Sequence, residues 1–123
     1  MDVNQVTHKV LNCAFEVHTA LGPGLLESAY KECLFYELTL RGIYVEKEKP
    51  MPLVFKEVKL DCGYRIDLFV ENQLVVELKA VDAIHDVHIA QVLTYMRLSN
   101  SKVGLLLNFD VTSLKNGIKR LAL

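Results

Sequence analysis

Residues 64–80, YRIDLFVENQLVVELKA, decide the fold of this chain because they join two β-type segments through a tight turn. The segments 64–70 and 74–80 are rich in β-branched and aromatic residues, and only residues 71–73 separate them. This spacing predicts an antiparallel hairpin. Strict alternation along the first strand places three apolar side chains on one face, namely Ile66, Leu68 and Val70.

The segments on either side of this hairpin predict the rest of the architecture. Apolar residues spaced by three and four predict amphipathic helices at 2–20, about 25–40 and about 86–98. Alternating or continuous apolar runs predict a strand at 43–49, a short hairpin or bent strand at 53–60, and a fully buried strand at 102–109. Residues 114–123 are expected to add one short element. We therefore predict an α+β (mixed α/β) fold, with helices packed on a mixed central sheet.

Length and composition restrict the class of protein. The 123 residues fit a single domain spanning 1–123. Fourteen basic and 15 acidic residues give a net charge of −1, which excludes a globally basic nucleic-acid binder but not a local basic patch. No apolar run approaches the roughly 20 residues that span a bilayer, so no membrane segment is predicted.

The three cysteines form no CxxC pair, which argues against a disulfide framework or a zinc site. This usage predicts a reducing, cytoplasmic compartment. Cys13 and Cys33 lie in apolar helical patterns, and we expect both to be small core residues.

The hairpin also carries the strongest chemical signal. Alternation allows Asp67 and Glu77 to meet on one face of the two strands, with Lys79 beside them. Carboxylates are costly to bury unless they are paired or bound to metal, and Mg²⁺ prefers oxygen ligands of this kind. A cross-strand ion-pair network, in which Arg65 and Lys79 neutralise the two carboxylates, fits the same residues.

Two predicted helices add polar groups that can reach this site. Gln91 and Tyr95 are four residues apart and share a helix face, so both can point to the sheet edge. Alternatively, Tyr95 is a half-buried core residue and Gln91 is solvated. Glu27 lies in the first turn of the second predicted helix, where an acidic residue is also favoured by the helix dipole.

Residues 24–30, GLLESAY, resemble the signature of the GxxExxY proteins, a family placed in the PD-(D/E)xK nuclease-like superfamily. Asp67 matches the strand aspartate of that superfamily, and residues 77–79 match its E-x-K element. Residues 91–95, QVLTY, resemble the Q-x-x-x-Y motif of the RecB-like and Cas4-like branch. The resemblance covers about residues 6–120. The chain departs from the pattern in having Ile66, not proline, before Asp67, and in lacking a four-cysteine iron–sulphur motif.

This resemblance implies a restriction-endonuclease-like core and a role for each matching residue. The implied Mg²⁺ or Mn²⁺ ligands are Asp67, Glu77, the Leu78 carbonyl and, as a supporting ligand, Glu27. Lys79 would position the attacking water and stabilise negative charge, while Gln91 and Tyr95 would orient the site or contact the phosphate backbone.

Three functions remain open from the sequence. The first is a Mg²⁺- or Mn²⁺-dependent nuclease that hydrolyses phosphodiester bonds of DNA or RNA by attack of a metal-activated water. The second is a non-catalytic protein of the same fold that binds nucleic acid or a protein partner. The third is a structural or oligomeric subunit with a buried ion-pair network. A homodimer that contacts a duplex suits the size of the chain, although the sequence holds no interface signal.

Overall fold

The computed structural model describes all 123 residues. Three helices are present: α1 (Val3–Leu21), α2 (Glu27–Leu40) and α3 (Asp86–Leu98). The strands are β1 (Val45–Pro50), β2 (Leu53–Phe55), β3 (Val58–Leu60), β4 (Arg65–Val70), β5 (Leu74–Lys79), β6 (Val103–Asn108) and β7 (Ile118–Ala122). A short 3-10 helix, Leu114–Gly117, precedes β7. The predicted helices and strands are therefore present with only small differences at their ends.

Five strands form the main sheet in the order β1-β4-β5-β6-β7. The β5–β6 pair is parallel and the other three pairs are antiparallel, because α3 lies between β5 and β6 in the chain. Strands β2 and β3 form a separate two-stranded hairpin. The predicted α+β class with a mixed central sheet is confirmed, and residues 53–60 form the hairpin rather than a bent strand.

Helices cover both faces of the main sheet. Helices α1 and α2 pack on one face in a core cluster of 19 buried residues, which includes Val10, Leu34 and Leu78. Helix α3 packs on the other face in a smaller cluster of eight buried residues. Every residue of β6 is buried, as the apolar run at 102–109 predicts.

The prediction of strict alternation in β4 is wrong at Ile66. Leu68 and Val70 pack under α1 and α2, whereas Ile66 belongs with Phe69 to the cluster under α3. The pairing between β4 and β5 runs only from Val70 to Leu68 and does not include Asp67. Because the backbone leaves this ladder at Asp67, the alternation of side chains changes phase there.

The cysteine predictions are only partly correct. All three thiols are free, and Cys13 is buried in the core as expected. Cys33 is exposed, because α2 buries only the side of the helix that carries Tyr30, Leu34 and Leu38. None of the three helices is both long enough and apolar enough to cross a bilayer.

Candidate functional site

Asp67 and Glu77 lie opposite each other at the point where β4 and β5 separate. Glu77 Oε2 accepts a hydrogen bond of 2.6 Å from the backbone N–H of Asp67. In return, Asp67 Oδ2 accepts a hydrogen bond of 2.9 Å from the backbone N–H of Leu78. Each carboxylate therefore takes the place that a backbone carbonyl would have in a continuous ladder, and the two acids are brought together as predicted.

Burial makes these two carboxylates difficult to ionise together. Glu77 is 3% exposed, and burial together with the nearby Asp67 charge raises its pKa to about 8. Burial also raises the pKa of Asp67, although the hydrogen bond from the Leu78 backbone and the charge of Lys31 oppose this shift. Such a pair is stabilised when a cation enters the site.

Lys79 stands beside the acids without pairing with any of them. It is half-buried, and its charge acts to lower the pKa of Glu27, Asp67 and Glu77. However, its ammonium forms no ion pair with any carboxylate. Lys79 therefore lies near the acids and is not held by a salt bridge.

The alternative prediction, in which Arg65 and Lys79 form ion pairs with the two acids, is wrong about which cations are involved. Arg65 lies 3.8 Å from Asp61, not against Asp67, and donates to the Tyr64 carbonyl. Lys79 is unpaired. The cation nearest Asp67 is instead Lys31, whose Nζ lies 3.9 Å from Asp67 Oδ1.

Sequence reasoning missed Lys31, which comes from α2. Its Nζ also donates a 3.0 Å hydrogen bond to Glu48 in β1. Burial lowers the pKa of Lys31, but the Glu48 hydrogen bond and the Asp67 charge outweigh this effect and raise it overall. The available signal was the four-residue spacing from Glu27, which places both side chains on one face of α2.

Glu27 lies in the first turn of α2, as predicted, and is its first residue. Tyr30 Oη donates a 2.6 Å hydrogen bond to the Gly22 carbonyl and accepts one from the Leu25 N–H at 3.1 Å. The tyrosine ring stacks on Phe109 at 4.6 Å between centroids. Gly24 has a φ of 99°, which a residue with a side chain rarely adopts. In this motif, glycine allows the turn and Tyr30 anchors it.

Gln91 and Tyr95 lie on one face of α3, as their spacing predicts. Tyr95 is 4% exposed, and burial and the Glu77 charge both raise its pKa. Gln91 is half-buried, and its Nε2 lies 3.5 Å from Tyr95 Oη. The structure therefore brings Tyr95 within the electrostatic influence of Glu77, and Gln91 is linked to the acids only through that tyrosine.

Asn108, the last residue of β6, is a second position that the sequence reasoning missed. Its side chain is 3% exposed; Nδ2 donates to the Val81 carbonyl, and Oδ1 accepts from the Val81 N–H. Asn108 also pairs in register with Lys79. It therefore fixes the chain immediately after Lys79. A single amide in an otherwise apolar strand was the signal for it.

No three carboxylate, imidazole or thiolate groups converge into a ready metal site. The donors nevertheless suit a hard divalent cation, because they are desolvated oxygens with few cationic partners. Glu77 Oε1 makes no hydrogen bond, and no unpaired side-chain oxygen is fully buried, so this atom keeps a small contact with solvent. Glu27 also lies close enough to interact with the pair. Burial is the main cause of the raised pKa of Glu27, and the Asp67 charge adds to that rise.

Comparison with known proteins gives one match. The family model described as the PD-(D/E)XK nuclease superfamily matches residues 4–121. No curated protein and no solved structure matches this chain significantly.

Proposed function

Because the chain belongs to the PD-(D/E)XK nuclease superfamily, we propose that it hydrolyses phosphodiester bonds of DNA or RNA with the help of Mg²⁺ or Mn²⁺. The main support is the buried pair Asp67 and Glu77, which share one site beside the unpaired ammonium of Lys79. Acids at such close quarters, with a raised pKa, are typical of functional sites.

The proposed ligands are Asp67, Glu77 and the Leu78 carbonyl, with Glu27 as a supporting ligand. A cation held there would act as a Lewis acid on the phosphoryl oxygen and lower the pKa of a bound water. Glu77 Oε1 and Asp67 Oδ1 are the oxygens that make no backbone hydrogen bond, so they are available for this purpose.

Lys79 is proposed to hold the attacking water and to stabilise negative charge that develops on the phosphate. Its freedom from salt bridges supports this role, because the ammonium does not have to give up a partner first. Asn108 restrains the backbone after Lys79 and acts as a positioning residue. Tyr95 and Gln91 are proposed to orient the site or to contact the phosphate backbone.

At a finer level, we propose that the chain is a GxxExxY protein with the Q-x-x-x-Y motif of the RecB-like and Cas4-like branch. The positive φ of Gly24 and the anchoring hydrogen bonds of Tyr30 give physical reasons for two positions of the first motif. The cytoplasmic location, the single domain spanning 1–123 and the homodimer stay predictions.

A non-catalytic protein of the same fold is the second candidate. It is favoured by the absence of a ready three-ligand site and by the hydrogen bonds with which both acids join the strands. In that case the acids would serve the fold, and the protein would bind nucleic acid or a protein partner without cleaving a substrate.

A cleavage assay separates the two candidates. Single- and double-stranded DNA and RNA are incubated with purified protein in Mg²⁺, Mn²⁺ or EDTA. We expect metal-dependent cleavage that falls by at least about 100-fold in Asp67→Asn and Lys79→Ala. Lys9→Ala, which changes an exposed lysine on α1, is the matched control and should retain full activity.

Two results would contradict the proposal. Cleavage at an unchanged rate in Lys79→Ala would remove the proposed site. Binding that needs no metal, with no cleavage of any substrate, would favour the non-catalytic candidate. Titration calorimetry with Mn²⁺ provides a readout independent of turnover, and Asp67→Asn should weaken the measured affinity.

A further inference from the structure

A cavity of about 220 Å³ lies next to the candidate site, on the α3 side of the sheet. Six residues line it: Leu53, Tyr64, Gln91, Thr94, Tyr95 and Leu98. Its walls are mainly aromatic and aliphatic, and its polar groups are an amide and hydroxyls. Such a combination suits a flat ligand with an apolar face and a hydrogen-bonding edge.

Two residues connect this cavity to the acids. Tyr95 lines the cavity and belongs to the same buried cluster as Val75, which lies two residues before Glu77 in β5 and so shares its face of the sheet. Tyr64 immediately precedes β4, three residues before Asp67, and is held there because its carbonyl accepts a 2.9 Å hydrogen bond from the Met51 N–H. A ligand in the cavity would therefore lie beside a phosphate bound at the acids.

The β2–β3 hairpin extends the same apolar surface outwards. Its register pairs Leu53 with Leu60 and Phe55 with Val58, and these four side chains share one face because they alternate in phase. Leu53 lines the cavity, so this face continues from it. Phe55 is 64% exposed, and an apolar side chain this open on a two-stranded hairpin contributes little to a core.

Positive charge accompanies these aromatic groups. Lys56, at the turn of the hairpin, places its Nζ 5.4 Å from the centre of the Phe55 ring. Lys56 forms no ion pair, and Glu57 is the only acid in the hairpin. Lys59 also forms no ion pair, but it pairs in register with Val54 and so lies on the opposite face of the hairpin. A free lysine beside an exposed aromatic ring is a combination found on surfaces that bind single-stranded nucleic acid.

We propose that the cavity receives an unstacked base of single-stranded DNA or RNA, and that Phe55 stacks on a neighbouring base. Tyr64 forms the stacking wall, and Gln91 and Thr94 face the edge of the base. A base within a duplex cannot enter, because its faces are covered by its neighbours. This inference rests on the proposed function and adds a substrate class to it, since it selects single strands over duplexes.

Binding without cleavage tests the proposal. A short single strand that contains 2-aminopurine is titrated with protein in EDTA, and fluorescence reports whether the base becomes unstacked. We expect tighter binding to the single strand than to its duplex. Tyr64→Ala should raise the Kd for the single strand by roughly 5- to 150-fold, whereas Tyr64→Phe should keep most of the affinity.

Two further variants make the test independent of local unfolding. Thr94→Trp fills the mouth of the cavity from an exposed position and should weaken binding as Tyr64→Ala does. Tyr36→Ala removes a 65% exposed tyrosine from α2, on the other side of the sheet, and should leave the Kd unchanged. Circular dichroism confirms that each variant is folded.

Several outcomes would overturn this inference. These are equal affinity for single strand and duplex, no binding at all, or an unchanged Kd in both Tyr64→Ala and Thr94→Trp. A dimer that Phe55→Ala dissociates without any change in oligonucleotide affinity would assign the hairpin to a second copy instead. Cleavage that Lys79→Ala abolishes but Tyr64→Ala does not change would support the nuclease proposal and contradict the base site. Binding that depends on Tyr64, without any cleavage, would support the base site and contradict the nuclease proposal.

Discussion

The two faces of the central sheet differ in the number of residues buried on them and in whether a cavity adjoins the buried cluster. Under α1 and α2, 19 buried hydrophobic residues form one cluster. Under α3, only eight buried residues pack together, and this smaller cluster adjoins the 220 Å³ cavity through Tyr95. The first face holds most of the apolar area that drives folding, whereas the second leaves room for a ligand beside the acids.

The largest expected effect is on stability at the first face. Leu34→Ala removes a fully buried side chain from the centre of the larger cluster, where surrounding residues cannot easily close the gap. We expect a loss of about 2–5 kcal/mol in the free energy of unfolding, measured with urea. Met96→Ala, the matched change under α3, should cost an amount near the lower end of the same range.

The comparison would fail if Met96→Ala were the more damaging of the two changes. That result would show that the smaller cluster, despite its size, limits global stability. Hydrogen exchange would then report α3 among the last elements to open rather than among the first.

The second prediction concerns pH and the acids between these faces. The pKa of Glu77 in the folded protein, about 8, is above its ordinary value of 4.5, so the folded state binds this proton more tightly. The stability that Glu77 provides is complete below about pH 4.5 and is lost as pH rises through 8. In EDTA, we expect the free energy of unfolding to fall on the order of a few kcal/mol across this window.

Glu77→Gln should remove most of this pH dependence, because glutamine keeps an acceptor for the Asp67 N–H but cannot ionise. Urea unfolding at closely spaced pH values measures it. Mn²⁺ should restore the stability of the unaltered protein at high pH and have little effect on Glu77→Gln. A pH profile of the unaltered protein that is flat between 5 and 8 would show that the pair is not desolvated as described.

The smallest predicted effect is at the loop that carries Glu27. Tyr30→Phe keeps the ring stacked on Phe109 but removes the hydroxyl that binds Gly22 and Leu25. We expect a loss of about 1–2 kcal/mol and faster hydrogen exchange at the Leu25 N–H. If exchange at Leu25 does not change, water replaces the hydroxyl fully, and the tyrosine anchors the loop by its ring alone.

The fold was largely predictable because its signals are local. The spacing of apolar residues identified the three helices, and the short turn at 71–73 identified the β4–β5 hairpin. The nearly all-apolar run at 102–109 predicted that β6 is covered on both faces, as the structure confirms. Each of these depends on periodicity within one segment and needs no knowledge of distant contacts.

The candidate site was less predictable because it depends on contacts between segments. Alternation in β4 could not reveal the phase change at Asp67, which follows from losing its pairing with β5. Lys31 reaches Asp67 only through the packing of α2 on the sheet, and Asn108 binds Val81 across 27 residues of chain. Whether the matching residues carry out catalysis stays a prediction.

The hydrogen bonds that Asp67 and Glu77 accept from the opposite backbone have a consequence for comparing related proteins. A related protein without nuclease activity would still lose hydrogen bonds between the strands if either acid were replaced, so selection for folding alone can retain both acids. Lys79 has no comparable structural role, because its ammonium forms no ion pair in the folded protein. Among relatives of this chain, replacement of that lysine should therefore be the earliest mark of a pseudoenzyme, while the two acids persist.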